Sequence, residues 1–553
     1  MSAFVFDTHS RLVERVVEDL SREIAVIRVS EWYRRLRGRG CDPVRELSGL
    51  SSSKARARVE ELAPPEENYA KAKVYWPDRA EVMEQMLVVL NLSDRRQPPG
   101  LNLLDASMWE SKENCAGVLI EIFKGIWPET WGVRMEDCLR HAIYALFLLN
   151  SQRFPESQFT ILDVIDFINN DHLRRELLKH PLIADANPRV ASWWNDQFER
   201  MSESFRVEVT KPVLNKLNPL AGSSLLSNIF GQPRTTIDFK KLLVSGVVVL
   251  VDLAGTEIEM ENAALAGAIL MGVLLRQVKA VASALPEEAV PLSVLVVDEF
   301  TTIISAPYSD ILSQYRKWGI RAFLATQSLV LCDRLDPVLR PLIMATADNL
   351  WILQANAEDA QFLRRELVSD HTTVAGSSAQ SQAGSLVNPL AGGGGVGPDV
   401  YALVNARRGL CFLKATIKGV RRPVFSLEIS SRLFQNFSKY TTSPELAALI
   451  EQEFQATRKR IVERSREIYG RSSLEASLYV NRMSEDYSCI ARGYISDKEN
   501  SPVINGFIDP EWQQRLSGLL VNYVEEPLRE AEKRRQRAAE RHFLKQQKKS
   551  QPS

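Results

Sequence analysis

Two short apolar runs that each end in acid constrain the fold of this sequence more than any other feature. Val247-Val-Val-Leu-Val251 runs into Asp252, and Leu292-Ser-Val-Leu-Val-Val297 runs into Asp298-Glu299. Continuous β-branched runs of this length predict strands covered on both faces, which is the condition of a parallel sheet. Between them, Asn262 to Val278 carries a helical apolar pattern, so the segment reads strand, helix, strand. The alternation continues with a helix over 309–318, a strand over Arg321-Ala-Phe-Leu-Ala325, a helix after Asp336, and strands at 350–353, 409–415 and 424–429. Such alternation predicts an α/β fold with a mostly parallel, doubly wound sheet. At the start, residues 3–6 ending on Asp7 predict another buried strand. Leu12, Val13, Val16, Val17 and Leu20 then recur at helical spacing, and 25–29 predicts a second strand.

Composition removes several classes. The chain has 553 residues, with 69 Lys+Arg against 69 Asp+Glu, so it is no basic nucleic-acid coat. A hydrophobic share of 45% and a charged share of 25% are those of a globular protein with a substantial core. Cysteines 41, 115, 138, 332, 411 and 489 form no CxxC pair, so neither a disulfide framework nor a zinc site is indicated, and a reducing cytosol is expected. The apolar stretches at 242–254 and 263–275 are broken or too short to span a bilayer, and the first residues lack the pattern of a signal peptide.

The expected organisation has four parts. Residues 1–104 form the first part of the sheet-bearing core, with a polar, charged insertion at 31–97. Residues 105–218 form an all-helical domain, in which Thr160 and Asp163 stand at capping-box spacing. Residues 219–435 complete the core and include a Gly-, Ser- and Gln-rich stretch at 374–398 that reads as a mobile loop. Residues 436–553 are a helical extension whose tail, 533–549, sets eight Lys and Arg against Glu540.

The chemistry concentrates on the second acidic strand. Asp298 and Glu299 leave it at the carboxyl end, where open α/β sheets bind ligands. In nucleotide hydrolysis one such acid holds Mg²⁺ through water while its neighbour polarises the attacking water. The plain alternative is a strand meeting solvent in two acids. The next strand ends in Ala325-Thr-Gln327-Ser328, placing an amide at the same edge, within reach of a γ-phosphate or its water. Arg316 stands in Arg316-Lys-Trp-Gly319, a basic helix end just before that strand. It suits either a finger stabilising transition-state charge in a neighbouring subunit or a cation at a helix C-terminus.

Taken in order, Asp7-Thr-His9-Ser-Arg-Leu12, Gly100-Leu-Asn102, Trp131-Gly-Val-Arg134, Asn215-Lys216-Leu217, Val251-Asp-Leu-Ala-Gly255, Val297-Asp-Glu-Phe300, Arg316-Lys-Trp-Gly319 and Ala325-Thr-Gln-Ser328 resemble the HerA/FtsK-like motor ATPases, and among them the conjugative coupling ATPases of type IV secretion (TraD/TraG-like). The resemblance runs from residue 3 to about 435. It implies a RecA-like P-loop NTPase core interrupted by an all-helical domain, ATP and Mg²⁺ as cofactors, DNA as the moved partner, a homo-hexameric ring, and secretion or relaxosome proteins as further partners. On this mapping Asp298 is the Walker B metal acid, Glu299 the catalytic base, Gln327 the phosphate sensor and Arg316 the trans finger. The implied location is the cytoplasm, at the inner membrane face if an N-terminal anchor exists. Thr8, Ser10 and Arg11 depart from the family's Asp-Pro-His-Gly-Asp-Leu segment.

One family element is missing. No GxxxxGK[ST] occurs, and Gly392 to Gly397 lacks both the Lys-Ser/Thr and the helix that would make it a phosphate cradle. The expectation is that the phosphate loop lies upstream of residue 3, and that the 553 residues alone are not a self-sufficient ATPase. The competing readings are a non-hydrolysing interaction module that binds DNA or secretion partners, and a HerA-like DNA-processing motor. No GxSxG elbow is present and the six histidines show no metal-ligand spacing. Trp193 and Trp194 read as packing residues.

Overall fold

A computed structural model describes residues 1–64, 79–253, 257–303, 308–367, 398–417, 420–421, 424–429, 444–477 and 479–480. The stretch at 374–397 and the tail at 533–549 lie outside them.

The chain opens with β1 (Ser2–Asp7), which leads into α1 (Arg11–Gly38), α2 (Pro43–Leu47), α3 (Ser52–Leu62), α4 (Arg79–Gln85) and β2 (Leu87–Asn91). Residues 25–29 are therefore not a strand but the middle of α1. Ala25, Val29, Trp32 and Leu36 are all buried, at intervals of four, three and four, so the run has the helical period although its residues are β-branched. Most of the segment from 31 to 62 is likewise helix.

A long helical stretch comes next: α5 (Lys112–Ile126), α6 (Val133–Asn150), α7 (Asp163–Asn169), α8 (Asp171–Leu178), α9 (Pro181–Ala184), α10 (Pro188–Ser192), α11 (Glu203–Gly222), α12 (Ser224–Phe230) and α13 (Phe239–Val244). Trp194 and Phe167 are fully buried and meet edge to face with centroids 5.1 Å apart. The buried Arg174 donates to the carbonyls of Phe167 and Ile168 at 3.2 and 2.8 Å, satisfying carbonyls that α7 leaves open at its end. Ahead of α7, Asp163 accepts from the backbone N–H of Thr160 at 2.5 Å and from its hydroxyl at 2.9 Å. Asp163 thus reaches back as a capping box requires, but the Thr160 hydroxyl accepts from Leu162 rather than from Asp163.

The remaining elements are β3 (Val248–Asp252), α14 (Glu257–Ser283), β4 (Ser293–Val297), α15 (Tyr308–Ser313), β5 (Ile320–Leu324), α16 (Val330–Leu335), α17 (Leu339–Thr346), β6 (Asn349–Ile352), α18 (Ala357–Leu367), α19 (Val400–Val404), β7 (Leu410–Ile417), β8 (Val420–Arg421), β9 (Phe425–Glu428) and α20 (Pro444–Tyr469). One sheet has the order β2-β3-β1-β4-β5, with β1, β4 and β5 parallel. A second sheet is antiparallel, with β6, β8 and β9 all paired to β7. This mixed α/β architecture with a parallel central sheet agrees with the α/β fold expected from the sequence. Within α14, Glu261–Ser283 is apolar and long enough to cross a membrane, longer than the apolar stretch seen in the sequence, and 67% of its most apolar window is buried inside the protein.

The contacts divide the chain into two compact units. The first holds 1–88, 243–250 and 278–461; the second holds 89–242, 251–277 and 462–553. In the first unit, α20 packs Leu449, Ile450 and Phe454 against Ala25, Val29, Trp32 and Leu36 of α1 and Ala55 and Val59 of α3. Beside this apolar contact lies a buried ion cluster. Arg28 donates to Glu453 at 2.6 Å and to Glu84 at 2.8 Å, and Arg460 donates to both acids at 2.7 to 3.1 Å. The Arg28, Glu84 and Glu453 side chains are 3%, 7% and 1% exposed.

Candidate functional site: an acidic edge on the parallel sheet

β1 and β4 are parallel neighbours with Phe6 opposite Val297, so the next residue of each, Asp7 and Asp298, leave the sheet side by side at its carboxyl edge. Backbone bonds hold that edge in place. Asp298 N–H donates to Phe6 at 2.9 Å, Ala325 N–H to Val297 at 3.0 Å, and Phe300 N–H to Ala325 at 2.9 Å.

Glu299 takes a left-handed conformation, φ 48° and ψ 51°, which costs a non-glycine residue on the order of 1–3 kcal/mol. The turn sends its carboxylate toward the loop after β5, where Oε2 accepts the backbone N–H of Gln327 at 3.3 Å. That loop is anchored from behind. The buried Asp359 accepts from the Ser328 hydroxyl at 2.8 Å, Leu329 N–H at 3.0 Å and the Asn356 amide at 2.7 Å. Sequence reasoning singled out the acid pair and Gln327 but not Asp359, whose only sequence signal is an acid in the first turn of an ordinary helix.

Burial raises the pKa of Asp298 above the usual carboxylate value, and the neighbouring carboxylates of Asp7 and Glu299 raise it further. A cation among these groups would relieve that repulsion. The all-oxygen donor set suits a hard divalent ion such as Mg²⁺ held partly through water. Among the described residues no three acids, histidines or cysteines converge closely enough to ligate an ion on their own.

The helix that starts at this edge already carries a carboxylate of its own chain at its amino end. Asp7 is fully buried; its Oδ1 accepts from His9 N–H and its Oδ2 from Val13 N–H, both at 2.9 Å. Ser10 occupies the cap position of α1 at φ 63° but its side chain does not cap the helix; Asp7 supplies the capping oxygen to Val13 N–H in its place. One N–H of the first helical turn, that of Val13, is thus spent on the chain's own carboxylate, whose charge also sits where an anion would approach.

Arg316 stands apart from the acids. It lies in a 3₁₀ turn, Tyr315–Trp318, at the amino end of β5, whereas Asp298 and Glu299 lie just past the carboxyl end of the parallel β4. A five-residue strand separates the two edges by about 16 Å. Arg316 is exposed and pairs with Asp348 at 3.2 Å. The turn that places it needs Gly319, which sits at φ 83° with its would-be Cβ 2.6 Å from the Pro291 carbonyl. Trp193 and Trp194 are buried packing residues. Asn102, one of the residues that carry the family resemblance, is structural: it is fully buried and donates to the carbonyls of Phe159 and Pro233.

Fold and site together define a parallel α/β protein with an acid pair on the carboxyl edge of its sheet and an amide-bearing loop alongside. No protein-family profile matches the sequence, and no curated protein matches it. Solved structures similar to this chain include the bacterial conjugative coupling protein TrwB in an unbound form, at 13% identity and a TM-score of 0.39 over 62% of this chain and 73% of that one. TrwB in complex with ADP and Mg²⁺ gives 14% identity and a TM-score of 0.39 over 62% and 73%. VirB4 of Thermoanaerobacter pseudethanolicus gives 12% and 0.37 over 69% and 87%.

Proposed function

We propose that this chain is a subunit of an ATP-driven motor that moves DNA, of the conjugative coupling kind used in type IV secretion, and that it works as a ring of six. The observation that carries the reading is the acidic edge, where Asp298 and Glu299 come directly after a buried parallel strand and Glu299 is tied to the Gln327 loop at 3.3 Å. In this reading Asp298 holds Mg²⁺ through water, Glu299 accepts the proton of the attacking water, and Gln327 senses the γ-phosphate. Arg316, on the far edge of its own sheet, acts on the nucleotide of the next subunit. ATP and Mg²⁺ are the cofactors; DNA and secretion or relaxosome proteins are the partners.

The test is DNA-stimulated ATP hydrolysis by the full-length gene product, with Glu299→Gln and Arg316→Ala compared singly and mixed. Each single variant should lose most turnover, and mixed rings should regain part of it, because an interface can pair the intact Glu299 of one subunit with the intact Arg316 of another. Mixed rings as inactive as either parent reject the trans assignment.

A second reading, a non-hydrolysing module that docks DNA or secretion partners, is favoured by one observation: the buried Asp7 carboxylate already caps the start of α1 through Val13 N–H. Retained DNA binding with no hydrolysis by the full-length product would establish it.

A further inference from the structure

Among the described residues β5 and β6 do not pair, yet they are tied to each other near both ends. Their amino ends are joined by the Arg316–Asp348 ion pair at 3.2 Å, since Arg316 stands four residues before β5 and Asp348 immediately precedes β6. Their carboxyl ends are joined through Ser328, just past β5, which meets Asn356 at 3.1 Å and Asp359 at 2.8 Å, beyond β6. Among the described residues each strand nevertheless ends its sheet: β5 pairs with β4 alone, and β6 with β7 alone.

The hydrogen-bond pattern shows which backbone groups are left over. Gly319 and Ala325 direct their groups to β4, through Ser293 N–H to Gly319 and Ala325 N–H to Val297. Alternate residues of a parallel strand face alternate neighbours, so Ala322 and Leu324 point their N–H and C=O groups away from β4. On β6, Asp348 accepts from Thr416, which puts Leu350 and Ile352 on the β7 side and leaves Asn349 and Trp351 facing outward. The side chains along these edges are apolar and open to solvent: Phe323 is 59% exposed, Trp351 54% and Leu353 53%. These edges are short, but edges that leave apolar side chains open to solvent in this way invite another strand.

We propose that the gap between β5 and β6 is a one-strand slot, filled by an apolar, β-branched segment of about five residues from a partner polypeptide. Only an extended peptide backbone offers matching donor and acceptor rows on both of its edges. Two strand spacings, about 9.6 Å, separate strands that flank a third, a distance that an arginine and an aspartate joined end to end can bridge. The occupant must have both edges free. Every described strand of this chain already pairs on at least one edge, so a second copy cannot supply it from those strands. A strand entering parallel to β5 would end at the edge that carries Asp298, Glu299 and Gln327, so that the partner residues just after the strand meet the acids. Only that last step rests on the nucleotide reading.

The probe is a capped peptide, Lys-Thr-Val-Ile-Val-Thr-Lys, added to the full chain, with amide hydrogen exchange as the readout. The slot predicts exchange slowed by at least about tenfold in both 320–324 and 349–352, together. Ala322→Pro removes one outward N–H without touching the β4 ladder and should abolish that protection while leaving exchange in β1 and β4 unchanged. Protection of one strand only, or of neither, overturns the slot. Concentration-dependent protection without peptide would assign the edges to a second copy and overturn the partner. A longer peptide, carrying a glycine-rich turn ending Gly-Lys-Ser after the strand, separates the two readings. Protection with no gain in Mg·ATP binding keeps the slot and counts against the nucleotide site.

Discussion

Glu299 and Gln327, 28 residues apart and on neighbouring strand ends, are joined by a hydrogen bond from the Gln327 backbone N–H to Oε2 of Glu299 at 3.3 Å. Because the donor is backbone, the contact depends on the acid and not on the glutamine side chain, which stays available to a ligand. The bond is compatible with an amide in place of the carboxylate, so Glu299→Gln should fold as the parent does, while ATP turnover in the full-length product falls by at least about 10²-fold. Thermal melting and steady-state hydrolysis on one preparation check both halves.

The left-handed backbone at Glu299 makes a second prediction in which stability and activity part. Glu299→Gly removes the steric cost of φ 48° and should raise stability by about 0.5–1 kcal/mol in a urea titration, while activity is lost. A destabilised glycine variant would show that the conformation is not strained.

The Arg28 cluster predicts a large loss on breaking. Burial alone would raise the pKa values of Glu84 and Glu453, but hydrogen bonds from the arginines, and from Ser52 to Glu453, hold both acids below the ordinary carboxylate value. Their contribution is therefore complete at neutral pH and is lost as pH falls below about 4.5 and through the depressed folded values. Arg28→Ala leaves two buried carboxylates short of a partner and should cost about 3–5 kcal/mol at pH 7, read by denaturant unfolding.

Asp166 in α7 behaves in the opposite sense. Burial, and then the charge of Asp163, push its pKa up to about 7. The folded protein then holds a proton that the unfolded chain releases, so this group lowers stability as pH rises from about 4 to 7. Asp166→Asn should melt higher than the parent at pH 8 and match it near pH 4. Equal melting temperatures at both pH values would contradict the shift.

Because the 553 residues contain no GxxxxGK[ST] and Asp7 occupies the start of α1, Mg·ATP should bind this chain no tighter than about millimolar, by calorimetry.

The strands that build the acidic edge were readable because burial on both faces leaves a continuous β-branched run, and the acids that end such a run mark the carboxyl edge. The same rule misled at 25–29, where β-branched residues lie on a helix whose period shows only once Trp32 and Leu36 are counted with them. Local pattern could not reveal that α20, a highly charged helix, closes the core over α1, since that depends on partners more than 400 residues away. Nor does any residue type announce the left-handed turn at Glu299, or that Asp7 serves as the cap for α1. The placement of Arg316 at the amino edge comes from parallel pairing: knowing its place in the sequence was enough to set it beside β5, and the sheet then decided which end.

The contact between α1 and α20 also has a timing. Arg28 and Glu453 are 425 residues apart in the chain. At a synthesis rate of about 5–20 residues per second, α1 leaves the ribosome roughly 20 to 85 s before its partner helix exists. During that interval Ala25, Val29 and Trp32 have no cover from α20 and Arg28 has no Glu453, so the nascent protein carries an apolar helix face in waiting. The cell must either shield it with a chaperone or finish the chain before the face finds another.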